Sequence, residues 1–162
     1  MKGANLNMTL NIGDKAPLIE LPDDKGETIS VAELKGQPVV VYFYPKDDTP
    51  GCTTEACGFR DNLAVLNKVK ARVFGISKDS VKSHAKFRDK YQLTFPLLSD
   101  ETGAVCDAYG VWTEKSMYGK KYMGIERATF LIDKDGKIAK IWPKVSVTGH
   151  VDEVVKAVQA LG

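Results

Sequence analysis

The sequence lacks three features that would indicate a specialised environment. It has only three cysteines, an odd number, whereas small secreted proteins held by disulfides carry more cysteines and an even count. Its longest uninterrupted apolar stretch, residues 39–44, is far too short to cross a membrane. Its 23 basic and 21 acidic residues leave a formal net charge of +2, which gives no electrostatic reason to bind nucleic acid or an anionic membrane.

The remaining composition is that of an ordinary globular protein. Apolar residues make up 43% and charged residues 27% of 162 residues, enough for one domain with a proper core. The first residues lack the apolar segment of a secretory signal. We therefore expect a cytoplasmic protein with a single domain over residues 11–162, preceded by a flexible extension over residues 1–10.

Strand-like and helix-like segments alternate along the chain. Residues 38–44 and 72–77 are β-branched and aromatic without polar alternation, a pattern typical of strands covered on both faces. The alternation predicts an α/β fold, and a hairpin followed by a last helix is typical of the thioredoxin-like fold, with a central mixed sheet flanked by helices on both faces. The predicted strands cover residues 18–21, 38–44, 72–77, 95–98, 128–133 and 137–142, and the helices residues 53–70, 80–91, 102–109 and about 151–161.

Other local predictions depend on particular residues. Ser30 and Glu33 have the spacing of a capping box that opens a one-turn helix. Residues 112–124 are predicted to be a long surface loop. The two histidines, His84 and His150, are expected at the surface or in capping positions.

The segment most informative about chemistry is residues 44–57, which follows the predicted central strand. Cys52 comes directly after a Pro-Gly pair, at or next to the start of a helix. Backbone N–H groups at a helix start are unpaired and the helix dipole is positive there, so a thiol at this place ionises more readily. Because the thiolate is the reactive form, Cys52 is a candidate nucleophile. Cys106 is expected to be a small buried packing residue.

The spacing of Cys52 and Cys57 predicts a conformational change. In a helix that begins at Thr53, five residues of separation place the two α-carbons roughly 8.6 Å apart. A disulfide requires α-carbons within about 7 Å. The two sulfurs therefore cannot bond while the helix is intact, and a redox cycle between them requires local unfolding. Gly58 weakens the helix where it would have to open.

Other chemistries have weaker support in the sequence. Structural zinc sites use cysteines two to four residues apart plus two more ligands, whereas here the gap is five and the other soft donors are Cys106, His84 and His150. No serine-hydrolase elbow and no phosphate-binding glycine motif is present, so no metal and no organic cofactor is expected. A general disulfide oxidoreductase, a redox sensor or holdase, and a zinc-binding module stay open as alternatives.

Several motifs resemble a known family. The pattern Pro45-x-x-x-Thr49-x-x-Cys52 matches the active-site motif of the peroxiredoxins. The longer string over residues 43–57 is similar to the peroxiredoxin Q subfamily, also called bacterioferritin comigratory proteins. The similarity runs from about Ile12 to the C-terminus and includes residues 95–100 and 127–133.

This resemblance implies a thioredoxin-like peroxidase that reduces hydrogen peroxide and organic hydroperoxides. Cys52 corresponds to the peroxidatic cysteine, which becomes a sulfenic acid, and Cys57 to a resolving cysteine that condenses with it to an intramolecular disulfide. Thioredoxin or a similar dithiol would recycle the enzyme. The resemblance further implies a monomer or weak dimer without a cofactor.

The resemblance also assigns roles to further residues. Thr49 corresponds to the residue whose hydroxyl contacts the thiolate and the peroxide, and Pro45 to the one that shields the pocket from water. Arg127 corresponds to the arginine that holds the thiolate and orients the peroxide. Glu55 fits the pattern too, although a charge at a helix start explains it equally well.

Two departures narrow the interpretation. Some members carry the resolving cysteine in the next helix, at the position of Arg88, so only Cys57 corresponds to a resolving cysteine here. Thioredoxins have C-x-x-C after the first strand, whereas this chain has four residues between Cys52 and Cys57. The sequence therefore favours a peroxidase over a general disulfide reductase.

Overall fold

A computed structural model describes residues 10–161. The strands are β1 (Glu20–Pro22), β2 (Thr28–Ser30), β3 (Val39–Phe43), β4 (Arg72–Ser77), β5 (Leu97–Ser99), β6 (Trp112–Met117), β7 (Lys120–Ile125), β8 (Ala128–Ile132) and β9 (Ile138–Trp142). The α-helices are α1 (Pro50–Asp61), α2 (Leu63–Lys68), α3 (Val81–Tyr91), α4 (Ala104–Ala108) and α5 (His150–Leu161), and a 3₁₀ helix covers Val31–Leu34.

The central sheet has five strands in the order β5-β4-β3-β8-β9. Strands β3, β4 and β5 run parallel, whereas β8 runs antiparallel to β3 and β9 antiparallel to β8. All five residues of β3 are buried, because the strand has a neighbour on each edge and is covered on each face. The prediction of a thioredoxin-like α/β fold with a mixed sheet is confirmed.

Two apolar layers cover the sheet, because successive side chains of a strand point to opposite faces. Val40 and Tyr42 of β3 pack in the layer that holds the buried residues of α1, α2, α3 and α5. Val39 and Val41 pack in the other layer, with α4 and the hairpin of β1 and β2. The predicted placement of helices on both faces is therefore confirmed, and the carboxyl end of β3 lies between the layers.

The prediction of a surface loop over residues 112–124 is wrong. Strands β6 and β7 form a separate antiparallel hairpin, whose turn contains Tyr118 and Gly119, both with positive φ. Such a turn matches the twist of paired strands. Most side chains of the hairpin are exposed, so the periodic burial that indicates a strand is missing from the sequence.

Helix boundaries differ from the predictions in two places. The helix predicted over residues 53–70 begins at Pro50 and breaks at Asn62, whose side-chain amide donates to the Gly58 carbonyl oxygen at 2.9 Å. Ser30 does precede the 3₁₀ helix, but its side chain makes no capping hydrogen bond, so the capping-box prediction is wrong. Ser80 caps α3 and accepts a hydrogen bond from the backbone N–H of Ser83.

The ends of the chain add three observations. The predicted flexible extension covers residues 1–10, of which 1–9 lie outside the described residues, whereas Leu10 packs against the core. The single domain over residues 11–162 stays a prediction. Leu161, at the end of the apolar face of α5, is 41% exposed.

Across residues 10–161, none of the helices combines the length and the apolar character needed to span a bilayer.

Gly75 of β4 tests the packing between the central strands. A Cβ at this position would lie 2.8 Å from both Cζ and the hydroxyl oxygen of Tyr42, a rigid and fully buried ring. We expect Gly75→Ala to lower the free energy of unfolding by about 1–3 kcal/mol, because a tightly packed core cannot accept the added volume. Chemical denaturation measures the change.

Tyr42→Phe is the matched control for this substitution. Within residues 10–161 the Tyr42 hydroxyl is buried without a hydrogen-bond partner, so its removal should leave stability unchanged or raise it. Equal stability of Gly75→Ala and the unmodified protein would contradict the close packing.

Candidate active site

Cys52 lies in the first turn of α1, at the carboxyl end of β3. Thr49 is the residue before the helix, and Pro50 occupies the first helical position, which suits its fixed φ and missing N–H. The backbone N–H of Cys52 belongs to the first turn, whose donors have no partner within the helix. Cys52 is 1% exposed. The predicted placement of this thiol at a helix start is therefore confirmed.

Arg127 is brought to Cys52 by the pairing of β8 with β3. Ala128, the first residue of β8, pairs with Phe43, the last residue of β3, so the residue before β8 lies beside the start of α1. Arg127 donates from Nη2 to Cys52 Sγ at 3.4 Å. A Cβ at Gly51 would lie only 3.1 Å from Nη2, so the glycine before Cys52 leaves room for the guanidinium. The guanidinium thus places a positive charge beside the sulfur.

Glu55 completes the ion pair beneath Cys52. It follows Cys52 by three residues, which places both side chains on one face of α1. Arg127 donates from Nη1 to Glu55 Oε1 at 2.8 Å, and Glu55 is completely buried. Burial raises the pKa of Glu55 to about 7, although Arg127 acts in the opposite direction. Partial burial lowers the pKa of Arg127, whereas Glu55 and Cys52 raise it. The net effect is a raised pKa, so Arg127 stays cationic.

Thr49 and Pro45 lie in the loop that leads from β3 to α1. Thr49 is half-buried, and its hydroxyl donates to the Lys46 carbonyl oxygen at 2.9 Å. This bond uses the hydroxyl proton, so the oxygen is left as an acceptor at the helix start. Pro45 is exposed.

Asp47 anchors this loop to α3. Its carboxylate accepts hydrogen bonds from the hydroxyls of Tyr44 and Ser83, and one of its oxygens lies 2.7 Å from His84 Nδ1. His84 is fully buried, so the expectation of a surface histidine is wrong. The signal was available, because His84 precedes the inward-facing Phe87 by three residues and therefore shares its helix face.

His150 is the second histidine that the sequence prediction placed wrongly. It begins α5 but is only 3% exposed, and its Nε2 lies 2.8 Å from the Thr129 hydroxyl oxygen and 4.0 Å from Glu55 Oε2. Its spacing from the buried Val154 and Val158, four and eight residues on, indicates the apolar face of the helix. Its contact with Glu55 could not be read from any local pattern.

Cys57 occupies the middle of α1 and is half-buried. Cys52, Cys57 and Cys106 are all free thiols. Because one intact helix contains both Cys52 and Cys57, as predicted, these two sulfurs cannot bond in this conformation. A Cβ on Gly58 would lie 2.9 Å from Val151 Cγ2, so the glycine also permits the close packing of α1 on α5.

Cys106 and Arg88 have structural environments. Cys106 is fully buried, as predicted, and both burial and the neighbouring Asp100 raise the pKa of its thiol. Arg88, at the position where some related proteins have a cysteine, donates from Nη1 to the Asp24 carboxylate and from Nε to the Leu93 carbonyl oxygen.

Among the residues that the structure describes, one group has ligand atoms spaced for a metal ion. The donor atoms of Asp47, Asp79 and His84 lie within 4.8 Å of one another. Asp79 accepts from the Asp47 backbone N–H and the Ser77 hydroxyl, so these contacts already account for the group as a loop anchor. Cys52 and Cys57 are not part of it.

Comparison with known proteins establishes the class. Residues 12–141 match the AhpC/TSA family. The chain belongs to this family and is a thiol-dependent peroxidase of the peroxiredoxin type.

Several relatives are peroxiredoxins of the Bcp and Q type. A Coxiella burnetii protein named as a peroxiredoxin bcp is 59% identical to this chain, and the alignment covers 91% of this chain and 98% of the relative. Peroxiredoxin Bcp of Bacillus subtilis is 49% identical over 94% of this chain and 97% of its own. A variant of Xanthomonas campestris peroxiredoxin Q is 41% identical with a TM-score of 0.87, covering 96% of this chain and 99% of its own. A PrxQ variant of Xylella fastidiosa is 40% identical with a TM-score of 0.89, covering 94% and 97%. The resemblance to the peroxiredoxin Q and bacterioferritin comigratory proteins is thereby confirmed.

The buried Glu55 carboxyl predicts a pH dependence of stability. Its pKa rises from 4.5 to about 7, so between these values the native state keeps a proton that the unfolded state releases. Stability therefore falls as pH rises through this window, by roughly 3 kcal/mol at about 1.4 kcal/mol per unit of pKa. We expect Glu55→Gln to remove this part of the pH dependence in denaturation measured at pH 4.5 and pH 8.

Glu114→Gln, which alters an exposed glutamate, is the control and should leave the pH dependence unchanged. An unaltered pH dependence in Glu55→Gln would show that Glu55 is ionised throughout this range.

Proposed function

We propose that the chain reduces hydrogen peroxide and organic hydroperoxides with Cys52 as the peroxidatic cysteine. The observation that carries this proposal is the contact of Arg127 Nη2 with Cys52 Sγ at 3.4 Å, made in a buried position at the start of α1. A cation and unpaired backbone N–H groups together stabilise a thiolate and any charge that develops next to it. The O–O bond is weak, so the protein needs to supply only the thiolate, alignment and charge stabilisation.

In the first step the Cys52 thiolate attacks one peroxide oxygen. An S–O bond forms and the O–O bond breaks, so that the sulfur is oxidised to a sulfenic acid and the peroxide is reduced. The leaving oxygen departs as hydroxide or alkoxide and takes up a proton to give water or an alcohol. Arg127 and the first-turn N–H groups stabilise the negative charge during this transfer.

Thr49 and Pro45 orient and enclose the peroxide in this proposal. The Thr49 hydroxyl donates its proton to Lys46, so its lone pairs can accept the O–H of a bound peroxide. Pro45 offers an apolar ring at the edge of the loop, where it would limit the access of water once substrate is bound. A relative, the bacterioferritin comigratory protein of Xanthomonas campestris, has alkyl peroxide reduction activity.

Cys57 is proposed to resolve the sulfenic acid. Its thiol displaces the sulfenic oxygen as water, which leaves a Cys52–Cys57 disulfide. Because both cysteines lie in α1, the first turns of this helix must unwind for their sulfurs to meet. Thioredoxin or a similar dithiol then reduces the disulfide by thiol exchange.

We further propose a monomer that works in the cytoplasm. The chain has three cysteines, all free, and its cycle depends on a continuous supply of a reducing dithiol.

Cysteine substitutions test the assignment. Cys52→Ser should lower peroxide consumption in a thioredoxin-coupled assay by roughly 10³-fold or more, because the nucleophile is lost. Cys57→Ser should retain one rapid oxidation but fail to recycle. Mass mapping of the peroxide-treated protein should find Cys52 paired with Cys57.

Cys106→Ser is the matched control and should retain full turnover, provided that it folds. Activity in Cys52→Ser, or a disulfide that includes Cys106, would contradict the proposal.

The requirement for unwinding can be tested at Thr54, an exposed position of α1 between the two cysteines. Thr54→Ala and Thr54→Gly both remove the hydroxyl bond to Pro50, but glycine destabilises a helix by about 1 kcal/mol relative to alanine. Disulfide formation should therefore be faster in Thr54→Gly, by up to about fivefold. The preceding oxidation of Cys52 should be equal in the two variants, and equal rates of disulfide formation would exclude unwinding as the limiting step.

A further inference from the structure

One oxygen of Glu55 is not accounted for by the ion pair with Arg127. Oε1 accepts from Arg127 Nη1, whereas Oε2 is buried and has no hydrogen-bond partner within residues 10–161. A buried carboxylate oxygen without a donor is costly. His150 Nε2, from the first residue of α5, lies 4.0 Å from this oxygen.

Thr129 holds the His150 ring in this place. Its hydroxyl oxygen lies 2.8 Å from His150 Nε2, and both residues are buried. Thr129 follows Arg127 by two residues along the chain, so the two side chains lie on the same side of the sheet. Arg127 with Glu55 and Thr129 with His150 thus form two close pairs, whose facing atoms Glu55 Oε2 and His150 Nε2 lie 4.0 Å apart.

We propose that His150 is a positioning residue for the peroxidase reaction, which supports the Glu55 carboxylate from the side opposite Arg127 and thereby keeps Arg127 directed at Cys52. This inference rests on the function proposed for Cys52. Closing the gap between Nε2 and Oε2 to a hydrogen bond requires a movement of only about 1 Å.

The chemistry of the pair explains its effect on Arg127. In the tautomer with its proton on Nε2, the N–H can turn from the Thr129 hydroxyl oxygen to Oε2 and favour the charged carboxylate. The charged carboxylate in turn holds the guanidinium by a strong hydrogen bond. Without the ring, Glu55 is left with a second oxygen facing an apolar environment, and the neutral acid becomes the preferred form. Arg127 then loses its anionic anchor, and Nη2 is no longer held towards Sγ.

Several ionisable groups surround this arrangement. The ionisable groups around Glu55 come from its own helix and from three other elements. They are Cys52 on α1, Arg127 at the start of β8, Tyr42 on β3 and His150 on α5. Burial lowers the pKa of His150, with Glu153 raising it and Arg127 lowering it further, so the ring is neutral at pH 7. Tyr42 is also neutral, because burial raises the pKa of its hydroxyl.

The test is the pH profile of the first oxidation of Cys52. We expect the rate of a single turnover with hydrogen peroxide, measured from pH 5.5 to 8.5, to fall on the acidic side of the profile. In His150→Leu this acid limb should move to higher pH, because Glu55 stays protonated to higher pH. The rate at pH 6.5 should fall roughly tenfold, the scale of one hydrogen bond to a charged group, and recover towards pH 8.5. Thr129→Val should shift the limb in the same direction by less.

Two further variants separate positioning from packing. His150→Gln retains an N–H donor and should restore most of the rate and the position of the limb. Val158→Ala removes buried volume from α5 eight residues away and should lower the melting temperature without moving the limb. If His150→Leu lowered the oxidation rate equally at every pH, and His150→Gln did not restore it, His150 would act only in packing. A His150→Leu profile that is not shifted along the pH axis would overturn the proposal.

Failure of the proposed function would be recognised separately. In that case the unmodified protein itself would show no oxidation that depends on Cys52. A rapid oxidation at Cys52, combined with unaltered profiles in the His150 variants, would contradict only the role of His150.

Discussion

The site depends on one guanidinium that joins two elements far apart in the chain. Arg127 bridges Cys52 and Glu55, which lie one turn apart on α1, from a position immediately before β8. The antiparallel pairing of β8 with β3 delivers it there, because both the end of β3 and the start of β8 lie at the same edge of the sheet. Helix start, buried acid and cation therefore meet at one end of the sheet.

In the proposed cycle the same helix has to be stable for one reaction and unstable for the next. Oxidation would take place with Cys52 in the intact first turn of α1, whereas disulfide formation would require that turn to open. The local structure limits how far such an opening spreads. Asp47 ties the preceding loop to α3 through buried hydrogen bonds, and α1 already ends at Asp61. The opening that the proposed cycle requires therefore involves only a short segment of the chain.

Burial of charge is a second constraint on this region. Glu55 has no exposed surface, and its carboxyl shares a small volume with a cation and a neutral imidazole from α5. Interactions of this kind are strong because little water screens them, and they are sensitive to displacements of about an ångström. The packing of α5 on α1, which the absence of a side chain at Gly58 permits, is therefore part of the active-site geometry as well as of the core.

The amino-acid sequence alone determined the strands with apolar runs and the helix start at Cys52. It also determined the spacing that forbids a disulfide in a helix, and the family resemblance. Each of these features depends on neighbouring residues or on periodic patterns. Only the tertiary structure decided the contacts of Glu55 with Arg127 and with His150, and the pairing of β6 with β7. These features join residues that are far apart in sequence or strands that bury little surface, so no local period encodes them. Their energies arise from distances that exist only after the sheet and helices have packed.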